Sequence, residues 1–141
     1  MISSIPVGVF PQALIFNPSN NNIYVANRDS GTVSVIDASN NMLLSTVQVN
    51  NEPTIIEHNP SNNDIYVSNR DSRTVSVIDG LNSTLLSNVE VGTEPVDLLF
   101  NPANNNMYVA NVVSNSVTVL DSTNNTVADT INVNSLPLAV E

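Results

Sequence analysis

Three observations predict an all-β chain built from three four-stranded antiparallel units. The first is a strict period of 42 residues: Asn17-Pro18, Asn59-Pro60 and Asn101-Pro102 recur at that spacing, as do Tyr24, Tyr66 and Tyr108, and Asp37, Asp79 and Asp121. The second is that each period holds four short runs rich in Val, Ile and Leu, separated by polar turns, the pattern of an antiparallel meander. The third is that no stretch joins a 3.6-residue apolar period to capping signals, so no helix is expected.

The elements follow in order within the first period, Pro11 to Glu52; Pro53 to Glu94 and Pro95 to Leu136 repeat it. Ala13-Leu14-Ile15-Phe16 is apolar on both faces, which suits a strand covered on both sides. It stops at Asn17-Pro18-Ser19-Asn20-Asn21, where proline presets φ and asparagine accepts turn geometry. Ile23 to Asn27 forms the second strand, and Arg28-Asp29-Ser30-Gly31 the next turn. Thr32-Val33-Ser34-Val35-Ile36-Asp37 alternates small polar with branched apolar residues, as a half-buried strand does. A turn at Ala38 to Asn41 leads to a fourth strand over Leu43 to Val49. With only four glycines in the chain, asparagine must supply the left-handed turn positions.

Periods of roughly 40–50 residues with four strands each are the mark of β-propeller blades, which bury their apolar faces by stacking on one another. The expected layout is one propeller segment spanning 1–141, with blades at 11–52, 53–94 and 95–136. Residues 2–8 align with the end of the fourth strand and read as the outer strand of a preceding blade. Residues 137–141 align with Pro11 to Ile15 and read as the start of a following blade. Propellers close with about 4–8 blades, so three blades form an arc with an apolar flank at each end. Either the chain is a piece of a longer ring, which the overhanging strands favour, or two copies complete a six-bladed ring.

The strings Tyr24-Val25-Ala26-Asn27, Tyr66-Val67-Ser68-Asn69 and Tyr108-Val109-Ala110-Asn111 each lead into a second motif: Val33-Ser34-Val35-Ile36-Asp37, Val75-Ser76-Val77-Ile78-Asp79 and Val117-Thr118-Val119-Leu120-Asp121. In motif, order and period the chain resembles the YVTN β-propeller repeat of archaeal surface-layer proteins, over nearly its whole length. Asn-rich turns replace the Asp-Gly turns common in that family. The resemblance implies a seven-bladed propeller outside the cell or attached to the envelope, and most members have no assigned reaction.

Composition narrows the function classes. A formal charge of −10 with three arginines and no lysine argues against nucleic acid and anionic membrane as partners. No apolar run is long enough for a membrane-spanning helix, and Met1 to Pro6 lacks the basic start of a signal peptide. Without cysteine there is neither disulfide nor thiolate chemistry. No Gly-rich phosphate loop or nucleophile elbow is present. No cofactor, catalytic residue or metal site is expected.

Positions shared by all copies are needed once per blade and read as structural; Asp37, Asp79 and Asp121 should bond the backbone of the following turn. Their spacing lacks the dense Asp-x-Asp pattern of a calcium loop. Function is sought where one copy breaks the phrase. On the first strand, Glu57, His58 and Asp97 put titratable groups where sister copies are apolar, and mark a candidate ligand site at the channel mouth. Adjacent strand residues project to opposite faces, so Glu57 and His58 do not readily share a metal. Val112 and Val113 replace Arg28-Asp29 and Arg70-Asp71, which read as surface pairs worth under about 1 kcal/mol; the two valines make a candidate partner loop. Asn82-Ser83-Thr84 and Asn124-Asn125-Thr126 fit the glycosylation acceptor pattern at Asn82 and Asn124.

The leading expectation is a non-catalytic extracellular or envelope scaffold, acting on a protein or cell-surface partner or on further blades or copies of itself. The rival is a ligand-binding or lyase-type propeller enzyme with its site near Glu57, His58 and Asp97.

Overall fold

The computed structural model describes residues 4–134 and 137–139, which hold twelve strands in three sheets. The first blade is β1 (Pro11–Asn17), β2 (Asn22–Asn27), β3 (Thr32–Asp37) and β4 (Met42–Gln48). The second is β5 (Pro53–His58), β6 (Ile65–Asn69), β7 (Thr74–Asp79) and β8 (Thr84–Glu90). The third is β9 (Pro95–Asn101), β10 (Asn106–Asn111), β11 (Ser116–Asp121) and β12 (Thr126–Asn132). Every pair is antiparallel, and spatial order follows sequence order within each sheet. The described parts of the flanking segments, 4–7 and 137–139, carry no strand.

The tight turns work because each blade has left-handed positions at repeating places. Asn21, Asn63 and Asn105 (φ 58°, 70° and 56°) close the first turn; Asn41, Ser83 and Asn125 (61°, 57° and 56°) close the third. Gly31 (62°), Arg73 (55°) and Asn115 (49°) precede the third strand. Asparagine dominates because its short amide lowers the cost of this conformation.

The invariant Asp residues behave as turn braces. Asp37, Asp79 and Asp121 accept the backbone N–H of Ser39, Leu81 and Thr123 at 2.8, 2.7 and 2.8 Å. Inside each sheet a fully buried asparagine ties the second strand to the third. The amide nitrogens of Asn27, Asn69 and Asn111 donate to Ser34, Ser76 and Thr118 at 2.9, 2.8 and 2.9 Å.

The outer strand of each blade carries a bulge. Val35 pairs with Ser45 while Ile36 pairs with Leu43, leaving Leu44 unmatched; Leu86 and Ala128 are skipped in the same way. A bulge twists an exposed edge and makes it a poorer template for strand addition.

Blades stack with their first strands closest together and their fourth strands splayed apart, which is propeller geometry. Apolar side chains fill the two seams. Tyr24, Ala26, Val33, Val35 and Val47 of the first blade meet Ile56, Ile65, Val67 and Ile78 of the second. Tyr66, Val75 and Val77 then meet Leu98, Phe100, Met107, Val109 and Leu120 of the third. The same sheet positions are thus used twice.

Candidate functional site

The irregular residues of the inner strands divide between the seams. Glu57 lies on β5 opposite Tyr66 and is half-buried at the seam with the third blade. Burial pushes its carboxyl above the usual range; the Phe100 backbone N–H donates to it and pulls the other way, and negative Asp97 on β9 pushes it further up. Two carboxylates are therefore close enough to feel each other across β5 and β9. His58 projects the other way, toward the first blade. Its Nε2 lies 3.1 Å from Asn63 Oδ1, so it makes a local bond at the place held by Phe16 and Phe100 in the sister blades. The sequence grouped Glu57, His58 and Asp97; the fold brings together only Glu57 and Asp97. Among the described residues no three His, Cys, Asp or Glu side chains gather as a metal site.

A second feature lies where the chain enters each blade, beside the β2–β3 turns. Arg28 donates to Glu52 at 2.7 Å, and Arg70 to Glu94 at 2.6 Å. The expected pairing of each arginine with its neighbouring aspartate is corrected by these bonds, which link a turn to the residue just before the next blade's first strand. Glu52 and Glu94 sit at left-handed positions (φ 54° each), which aims their side chains back at the preceding blade. The N–H groups of Arg70 and Val112 donate to the Glu52 and Glu94 carbonyls at 2.9 and 3.0 Å, completing the joint. All three cations of the chain, Arg28, Arg70 and Arg73, line one open recess of about 390 Å³ with Glu52, Asp71 and Glu94. Three arginines and three carboxylates give the recess no net formal charge.

Val112 occupies the Arg28 and Arg70 position in the third blade. It is half-buried, whereas Val113 beside it is 54% exposed. Asn82 and Asn124 are exposed in the β7–β8 and β11–β12 turns. Asn124 Oδ1 accepts from both the N–H (3.1 Å) and hydroxyl (2.6 Å) of Thr126.

Asp64 is a residue that the sequence reading missed. It stands where the sister blades have Asn22 and Asn106, and it is 8% exposed. Burial pushes its carboxyl up to about 6; Asp79 adds to the push, and the Asn125 amide opposes it. Around it, Asn62 Nδ2 donates to Asp64 Oδ2 at 2.8 Å and to the Ser122 carbonyl at 3.0 Å. The Tyr66 hydroxyl donates to Asn125 Oδ1 at 2.6 Å. The signal was present as a single Asn-to-Asp break in the repeat.

No protein-family profile and no curated protein sequence matches this chain. Solved structures do. Hydrazine synthase from Kuenenia stuttgartiensis superposes with a TM-score of 0.85 at 20% identity, over 98% of this chain and 40% of that one. A putative 6-phosphogluconolactonase from Bacteroides fragilis gives 0.80 at 24% identity, over 99% and 43%. Apo AztD from Citrobacter koseri gives 0.75 at 18% identity, over 97% and 39%. The fold is that of β-propeller blades. At these identities the likeness establishes architecture alone, and the chain spans about two fifths of the structures it matches.

Proposed function

We propose that the chain is a non-catalytic scaffold or interaction module of the YVTN surface-layer kind, working outside the cell or in its envelope. The observation that carries this reading is how the repeated groups are used. The motif asparagines and turn aspartates are engaged in internal bonds, while exposed apolar side chains repeat on the outer strands: Leu43 and Leu44 on β4, Leu85 and Leu86 on β8. Apolar residues recurring at the outer edge of a rigid arc suit contact with a protein or cell-surface partner. Val113 adds a separate exposed apolar side chain in the β10–β11 turn of the third blade. The net charge of −10 keeps nucleic acid out of the partner list. No helix among the described residues is long and apolar enough to cross a membrane.

Labelling of intact source cells with an antibody to the chain tests the location, and signal appearing only after lysis would overturn it. Native mass spectrometry tests the absence of chemistry. The purified chain is expected to carry no stoichiometric small molecule or metal, and one lost on Glu57→Gln or Asp97→Asn would replace the scaffold by the rival reading. That rival, a ligand-binding or lyase-type site at the channel mouth, is supported by the nearness of Glu57 and Asp97. Its third member, His58, faces a different seam.

A further inference from the structure

The two seams are built by one rule, and each end of the arc presents one half of it. At the first seam the Tyr24 hydroxyl donates to the Gly80 carbonyl at 3.0 Å, and Asn20 Nδ2 bonds the same carbonyl. At the second, Tyr66 donates to Asn125, and Asn62 to the Ser122 carbonyl. In both, a tyrosine and the asparagine four residues before it grip the third turn of the next blade. At the far end of the arc, Tyr108 and Asn104 are poised alike, 2.8 Å apart, the first half-buried and the second exposed, and among the described residues no turn meets them. At the near end, the Ala38–Asn41 turn is the matching part, and among the described residues no tyrosine grips it.

The apolar halves match as well. Leu14 and Phe16 are 68% and 48% exposed on β1, whereas Leu98 and Phe100, their equivalents inside the second seam, are 5% and 8% exposed. On the other end Ile131 is 45% exposed where Val47 is 7%. Asn106 replaces Asp64 there, so this third seam would lack the acid that burdens the second.

We propose that two copies of this chain dock head to tail: the β9–β12 end of one takes the β1–β4 end of the other. Tyr108 and Asn104 of the first copy grip the Ala38–Asn41 turn of the second, and Leu14 and Phe16 of the second fill the apolar half. A heterologous contact of this kind closes a ring when its rotation permits and otherwise propagates. The seat before β1 is already taken by the second copy's own 8–10 segment, through Val9 N–H on Ser30 Oγ and Arg28 N–H on the Phe10 carbonyl. Residues 137–139 of the first copy, which repeat Pro11 to Ala13, must therefore turn aside. The proposal is drawn from the seams alone, so a monomeric chain would sink it and leave the scaffold reading standing.

Because the chain has no cysteine, cross-linking can report this geometry. Asn104→Cys and Ala38→Cys variants are prepared separately, mixed, and treated with a short bismaleimide. The mixture is expected to give a strong band at twice the 15.1 kDa chain mass, with little from either variant alone. Equal linking within one variant, or none in the mixture, would overturn the proposal. Light scattering of the unmodified chain is expected to show a closed dimer or a concentration-dependent ladder; a monomer throughout the range would overturn it. Leu14→Asp, at a side chain already in solvent, is expected to weaken self-association about tenfold or more with an unchanged circular dichroism spectrum. Unchanged association would count against the proposal. A chain stopped at Asn134 should associate at least as well, and loss of association on that truncation would overturn docking in favour of strand exchange.

Discussion

Tyr24 and Gly80 lie 56 residues apart in sequence and meet across a blade seam, hydroxyl to carbonyl, at 3.0 Å. The ring of Tyr24 is fully buried, so the bond forms where water does not compete. Tyr66 repeats the arrangement with Asn125. The motif tyrosine is thus the point where one blade is fastened to the next, and it belongs to packing rather than to chemistry.

Removing the hydroxyl alone measures that fastening. Tyr24→Phe and Tyr66→Phe are each expected to destabilise the chain by about 1 kcal/mol, with the turn groups left short of a partner. Tyr108→Phe should cost under about 0.5 kcal/mol in the dilute chain, since among the described residues its hydroxyl meets only the exposed Asn104. Urea unfolding of the three variants checks the order. Equal losses at all three positions would show that the hydroxyls act within their own blade.

Gly80 makes a prediction that the repeat itself would get wrong. Its sister positions are Ala38 and Ser122, so alignment alone says that alanine fits. In blades one and three, the N–H at this position donates to the Asn21 and Asn105 carbonyls. In blade two, the Asn63 carbonyl lies only 2.0 Å from where a Cβ on Gly80 would stand. Gly80→Ala must displace backbone and is expected to cost about 1–3 kcal/mol by the overpacking route. Thermal unfolding against the harmless change Ala38→Gly provides the comparison.

Asp64 gives the chain a pH response of unusual sign. Its carboxyl titrates near 6 when folded, against 3.8 for the ordinary group. The folded chain holds this proton more tightly than the unfolded one, so the stabilisation is complete below 3.8 and is lost as pH rises through about 6. Asp64→Asn, the residue found in the sister blades, is expected to stabilise at pH 8 by on the order of 1 kcal/mol after solvent screening. The gain should fade toward pH 4. A gain of equal size at both pH values would mean that charge is not its source.

Strands and turn braces were legible in the sequence because they follow from local rules: alternation, proline and asparagine at turns, and aspartate before them. Strand ends came within about two residues throughout. Contacts made across a seam were not legible. Arg28 chooses Glu52, just before the next blade's first strand, over Asp29 beside it, because the left-handed backbone at Glu52 turns the carboxylate toward it. Of the channel residues, Glu57 and Asp97 meet because they belong to neighbouring inner strands, while Glu57 and His58, adjacent in sequence, are separated by strand alternation. Asp64 escaped notice since Asn-to-Asp is a small change in letters and a large one in a buried seam.

Glu57 tests whether the inner seam is built for stability or tolerates a cost. Its sister residues are Ile15 and Leu99, and its folded carboxyl is pushed upward chiefly by burial, with Asp97 adding to it. The wild-type chain therefore loses stability as pH rises above the ordinary 4.5 and through the folded value. Glu57→Leu removes the buried charge and fills the place with the residue blade three uses there. It also strips the Phe100 N–H of its acceptor, at a cost of about 1–3 kcal/mol if that group stays dry. Glu57→Gln keeps an acceptor and removes only the charge. Glutamine is expected to be the more stabilising of the two at pH 8, with its advantage over wild type shrinking as the pH is lowered. Urea titrations of both variants at pH 8 and pH 5 decide it. If leucine is better than glutamine at both, Phe100 has found another partner, and the Glu57 bond contributes nothing to holding the second and third blades together.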